Sequence, residues 1–195
     1  MEPRDDVELM LRVRDGRDAA AFEALMRRYQ RPLTGFLMRL TGNLDAARDL
    51  AEETFVRVWQ SAPRYRPSGK FTTWLFTIAS RLATDHARRA QVRRAVSLDA
   101  PVADKERPLA DTLADASPAA DQQVSREQDA ALVRSAMEAL PLEQRTALAL
   151  CEFQDFSYAE AAEAMGCSVK SVELRIYRAK QNLREKLKRL FQPGG

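Results

Sequence analysis

The sequence predicts an all-α protein: two small helical domains joined by a flexible acidic linker, the second containing a C-terminal helix-turn-helix. Three observations carry this. Apolar residues recur at three- and four-residue spacings up to Arg94 and again from Val124, with no convincing two-residue alternation anywhere. Between these stretches, residues 96–125 lose periodicity and hold Pro101, Pro108 and Pro118 among alanines and aspartates. Near the C-terminus a short capped helix, a glycine and a longer basic helix follow one another. Thirty residues without a core stripe are too many for a connection inside one domain. The expected division is therefore 1–95, a linker at 96–125, and 126–195.

The first helix spans about residues 5–14 and breaks at Gly16. From Asp18, a second stripe runs through Ala21, Phe22, Leu25 and Tyr29. Pro32 suits the first turn of a third helix, where its missing N–H costs nothing. Leu33, Phe36, Leu37 and Leu40 make that helix's buried face, and Thr41-Gly42-Asn43 ends it. A fourth helix covers about residues 44–61, with Ala47, Leu50, Ala51, Phe55, Val58 and Trp59 inward. Asp49, Glu52, Glu53 and Arg57 lie largely outward.

Pro63, Pro67 and Ser68-Gly69 then mark a loop containing Arg64, Tyr65, Arg66 and Lys70. Such a loop can hold a phosphate backbone and stack a base, or be an ordinary surface connection. A fifth helix runs from about Thr72 to Arg94, anchored by Trp74, Leu75, Ile78 and Leu82. Its later turns present Arg81, Arg88, Arg89, Arg93 and Arg94, which fit phosphate contact and also oppose the helix dipole.

Beyond the linker, Leu132, Val133, Ala136, Met137 and Leu140 restore the helical period, and Pro141 with Glu143 starts the next helix. Ala147, Leu148, Cys151 and Phe153 form its face. Ser157 and Glu160 make a capping box, and Gly166 supplies the left-handed stop. Ser168 caps the last helix, whose inner face is Val169, Val172, Ile176, Ala179 and Leu183. Its other face carries Lys170, Ser171, Arg175 and Arg178, with Glu173 and Leu174 among them. This order is that of a helix-turn-helix, whose second helix can enter a DNA major groove. A helical hairpin with merely solvated charges is the competing reading.

Composition narrows the function classes. Net charge is only +3, but residues 1–95 carry 18 basic against 12 acidic groups and residues 96–125 carry 2 against 6. Between Lys170 and Arg189 there are eight basic residues and two acidic ones. Two basic parts joined by an acidic connector fit a bipartite nucleic-acid binder. The two cysteines, Cys151 and Cys167, have no CxxC spacing, and Cys151 falls on an apolar face as a buried thiol. No apolar run reaches transmembrane length and the acidic N-terminus is not a secretory signal, so a cytoplasmic protein without direct membrane insertion is expected. There is no G-x-S-x-G, P-loop or H-E-x-x-H, and His86 has only its neighbour Asp85 as a carboxylate, on a different side of the helix. No catalytic residue, metal site or cofactor is expected.

With these segments in order, the chain resembles the extracytoplasmic-function (ECF) group of bacterial sigma factors, over about residues 18–94 and 126–188. ARDLAEETFVRVW at 47–59 is similar to the group's polymerase-binding helix, and RYRPSGKFTTWLFTIASRLATDHARR at 64–89 to its promoter-melting and −10 region. LPLEQRTALAL at 140–150 and SYAEAAEAMGCSVKSVELRIYRAKQNLREKL at 157–187 resemble its −35-binding domain. The resemblance implies a non-enzymatic initiation subunit that binds core RNA polymerase (β′ and β subunits) and promoter DNA, with an anti-sigma factor as a further partner. It implies core contacts from Asp49, Leu50, Glu53 and Phe55. The −10 set would be Arg64, Tyr65, Arg66, Lys70, Trp74, Arg81, Arg88 and Arg89. The −35 set would be Ser168, Lys170, Ser171, Glu173, Leu174, Arg175 and Arg178. Arg48, Glu52, Arg81, Glu173 and Leu174 depart from residues frequent in the group. The runner-up is a helix-turn-helix regulator that binds DNA without joining polymerase.

Overall fold

Eight helices account for nearly all the described structure, a computed structural model that covers residues 3–97 and 131–191. They are α1 (Pro3–Gly16), α2 (Ala19–Thr41), α3 (Leu44–Ser61), α4 (Phe71–Ser97), α5 (131–138), α6 (Leu142–Phe153), α7 (Tyr158–Met165) and α8 (Val169–Phe191). A 3₁₀ turn at Ala62–Arg64 leads from α3 into the loop before α4. The expected linker at 96–125 lies outside the described residues except for Val96 and Ser97, which finish α4.

Local chemistry explains the boundaries. Asp18 accepts the Ala21 N–H at 3.0 Å to start α2, and Asn43 accepts the Ala46 N–H at 2.9 Å to start α3. Gly42 ends α2 with φ 68, its N–H returning to Met38 O. The expectation of a helix break before Pro32 is corrected: α2 runs straight through it. Losing one backbone bond at proline costs about 3 kcal/mol. Leu25, Leu33, Phe36, Leu37 and Leu40 lie buried along the same helix, and each large apolar side chain returns about 1.5–3 kcal/mol on burial. Burial wins.

The first half closes around Met10, Val13, Leu25, Leu33, Phe36, Leu37, Phe71, Leu75 and Phe76, all essentially inaccessible. α1 is pinned on α2 by Asp6, a buried carboxylate that accepts from Arg28 and from the Tyr29 hydroxyl. Burial and the Asp6 bond push the Tyr29 phenol well above its ordinary range. The second half packs α6, α7 and α8 around Ala147, Leu150, Ala161, Val172, Ile176 and Ala179. The capping box is present, with Glu160 Oε2 accepting the Ser157 N–H at 2.8 Å, and Gly166 has φ 63.

The halves meet along a seam where α2 faces α6 and α4 faces α7. Phe76 packs edge-on to Phe156 at 5.5 Å between ring centres, and the Arg39 guanidinium lies 4.1 Å from the Phe153 ring centre. Arg145 donates to Leu40 O at 2.8 Å and to Glu138 O and Leu140 O at 2.6 and 2.9 Å. It thus ties the end of α2 to the start of α6.

Candidate nucleic-acid interface

α3 shows two faces. Phe55 is buried and seats the helix, whereas Leu50 is half-buried, packed on the core with part of its side chain open. Asp49 and Glu52 are exposed, and Glu53 pairs with Arg57 at 2.7 Å one turn on. Val56, 48% exposed, sits among these charges, an apolar member of the face that the sequence reading passed over.

The loop between α3 and α4 separates its residues by exposure. Arg64, Arg66 and Lys70 are exposed, whereas Tyr65 is buried. Base stacking by Tyr65 is therefore corrected: its ring packs 4.8 Å from Trp74 and 6.4 Å from Phe71, because the three rings share one apolar shelf. Burial, with the nearby Asp6 carboxylate, raises the Tyr65 pKa. Its hydroxyl has no partner among the described residues. Trp74 is half-buried on the same shelf, so one part of its indole remains open. Arg81, Arg88 and Arg89 are exposed along α4.

α8 presents Ser168, Lys170, Glu173, Leu174 and Arg178 to solvent, with Ser171 half-buried and bonded to Ser168. Arg175 lies on that face with Ser171, Leu174 and Arg178, but it is half-buried and engaged within the chain. Its guanidinium donates to Glu143 Oε2 at 2.7 Å and to Cys167 Sγ at 2.9 Å, so α6 and the turn hold it. Tyr177, 63% exposed, was missed; its position three residues after Leu174 puts it on the same outward stripe. Arg81 and Arg175 both line one cleft of about 410 Å³, with Ser80, Glu143 and Gly166, between α4 and the helix-turn-helix.

Lys70 is also engaged inside the chain, 2.7 Å from Glu160. Burial raises the Glu160 pKa, but Lys70 and the Ser157 N–H and hydroxyl outweigh it and leave the carboxyl below its ordinary value. Cys151, on the inner side of α6, is half-buried, and burial with the Glu152 carboxylate pushes its thiol up to about 11.

Two helical units, one with a basic loop over an aromatic shelf and one with a capped helix-turn-helix, define a DNA-binding protein. The pattern of Sigma-70 region 2 matches residues 25–93, and that of Sigma-70 region 4 matches residues 130–183. The ECF RNA polymerase sigma-E factor of Haemophilus influenzae is 33% identical over 191 residues, covering 97% of this chain and 99% of its own length. Among solved structures, CnrH in complex with the cytosolic domain of CnrY is 25% identical with TM-score 0.65, covering 94% of this chain and 97% of that one. The sigma factor RpoE of Bartonella quintana, in complex with the anti-sigma factor NepR, is 24% identical with TM-score 0.62, covering 86% and 96%. The chain belongs to the sigma-70 family, in its ECF group of RNA polymerase sigma factors. It is a non-catalytic subunit that binds core polymerase, recognises promoter DNA and initiates transcription. That excludes the runner-up, a regulator outside polymerase. No described helix is long and apolar enough to cross a membrane.

Proposed function

We propose that the two units, about 1–95 and 126–195, divide the promoter between them in the cytoplasm. α3 meets core polymerase through Asp49 and Glu53, with Leu50 and Phe55 holding that face in place. Arg64, Arg66 and Lys70 grip the melted −10 strand, Trp74 offers its open edge to a base, and Arg81, Arg88 and Arg89 follow the phosphates. Tyr65 supports the shelf from beneath. On α8, Lys170, Ser171, Glu173 and Leu174 address −35 base edges, Ser168 and Arg178 the backbone. Arg175 joins them on leaving Glu143.

The observation that supports this reading best is the loop: exposed Arg64 and Arg66 flank a buried Tyr65 whose ring packs on a half-open indole, and exposed Lys70 follows just before α4. Single-stranded nucleic acid is held by that combination of charge and aromatic surface. The test is permanganate footprinting with core polymerase. Replacing Arg64, Arg66 and Lys70 by alanine should lower −10 opening by about tenfold or more, since each phosphate contact adds to affinity, while −35 duplex binding is retained. Normal opening would sink the assignment. We also infer an inhibitory partner of the anti-sigma class, supported by the complexes in which CnrH and RpoE were solved.

A further inference from the structure

Arg17 stands between α1 and α2 with φ 51, in the left-handed region that a side chain disfavours. The backbone there closes α1, with the Arg17 N–H donating to Val13 O at 3.0 Å and the Asp18 N–H reaching Arg12 O at 3.5 Å. Glycine would serve that backbone better. What arginine adds is its guanidinium. It donates to Trp59 O at 2.8 Å and lies 5.1 Å from the centre of the Trp59 ring. The same ring sits 5.0 Å from Phe22.

Trp59 O is where α3 gives way to the loop, because it also accepts the Ala62 N–H that begins the 3₁₀ turn. One turn earlier on α1, Arg14 points Nη1 at Tyr65 O, at a long 3.5 Å. α1 packs against the 3₁₀ turn and α4 as well as α2. The entry to the loop is therefore held from outside α3 and α4, by residues that precede the matched stretch 25–93.

We propose that Arg17 is a positioning residue for −10 strand capture: by fixing Trp59 O and the Trp59 ring, it sets the angle at which Arg64 and Arg66 leave α3. This rests on the reading of the loop given above. Arg17 touches no DNA itself; it acts through the backbone of the loop's first turn.

Arg17→Gly removes the guanidinium while giving the left-handed position the residue that suits it, so the fold is kept. Assembled with core polymerase, this variant should keep core affinity and −35 duplex binding within about twofold. It should lose about three- to tenfold in affinity for a single-stranded −10 oligonucleotide, the range one net hydrogen bond supports. Arg17→Lys should recover part of the loss, since an ammonium can reach the carbonyl but offers no planar face to the indole. Unchanged oligonucleotide binding by Arg17→Gly overturns the proposal. So does a loss matched in core affinity, which marks a general structural role. The variant lacking Arg64, Arg66 and Lys70 is measured alongside. If it binds the oligonucleotide normally, the loop reading falls and takes this proposal with it. If it fails to bind while Arg17→Gly binds fully, only the positioning role falls.

Discussion

The two halves fill one continuous core with different proportions of rings and small residues. The first half fills space with rings: Phe36 meets Phe76 edge-on at 5.1 Å, Phe22 leans on Trp59, and Tyr65, Phe71 and Trp74 form the shelf under the loop. The second half has Phe156 as its buried ring and leans more on small residues, with Ala147, Ala149, Ala161, Ala162, Ala164 and Ala179 buried beside Leu148, Leu150, Val172 and Ile176. Rings give the first half broad rigid surfaces on which a loop can be aimed. Methyl groups let short helices approach closely, so an eight-residue α7 can be held by α8 and α6 and, across the seam, by α4. The two ends of this core should therefore fail differently, one by cavities and the other by crowding.

The largest effect should come from emptying the aromatic core. Phe36→Ala leaves a hole at a fully buried site, and urea unfolding should show a loss of about 3–5 kcal/mol. Next comes Ala161→Leu, where added methylenes have nowhere to go; a loss of about 1–3 kcal/mol is expected. If Ala161→Leu proves neutral while Phe36→Ala is costly, close helix approach is not what holds the second half.

A smaller effect, below about 1 kcal/mol, is expected from Glu160→Gln, which keeps a capping-box oxygen but loses the charge that pairs with Lys70. The folded carboxyl titrates below the ordinary value of 4.5. Its contribution is thus complete above that pH and is lost as pH falls through the folded value. Glu160→Gln should be less stable at neutral pH and should lack that part of the acid-side decline in stability. Equal acid slopes in the two proteins would mean that Lys70 and Ser157 do not hold the carboxylate in solution. The smallest expected change is chemical. With its thiol pushed up to about 11, Cys151 should alkylate with iodoacetamide at pH 8 more slowly than a free cysteine peptide, with no change in fold.

Helical periodicity made most of this fold legible. The stripe Ala47, Ala51, Phe55, Val58 placed α3 to the residue, and Ser157, Glu160 and Gly166 framed α7 because capping is local chemistry. Pro32 misled, since proline's local rule is overruled by burial on both sides of it. Spacing could not show that Tyr65 turns inward or that the Arg175 guanidinium is already paired, because both are directed by residues distant in sequence. Trp74 takes the first, Glu143 the second. The partnership of Lys70 with Glu160 is likewise long-range, and the candidate sites that touch the seam were the least legible.

The seam also has a consequence in terms of counterions. Two cations proposed above to contact DNA, Lys70 and Arg175, already sit 2.7 Å from carboxylates of the chain, Glu160 and Glu143. Reaching a phosphate then means exchanging one anion for another. Each phosphate neutralised ordinarily contributes about 0.9 on duplex DNA, and about 0.7 on a single strand, to the exponent relating affinity to salt. Low salt strengthens the internal pairs as well as the phosphate contacts, so these two exchanges partly cancel. Promoter binding by the holoenzyme will consequently be less sensitive to ionic strength than the count of this chain's basic residues suggests.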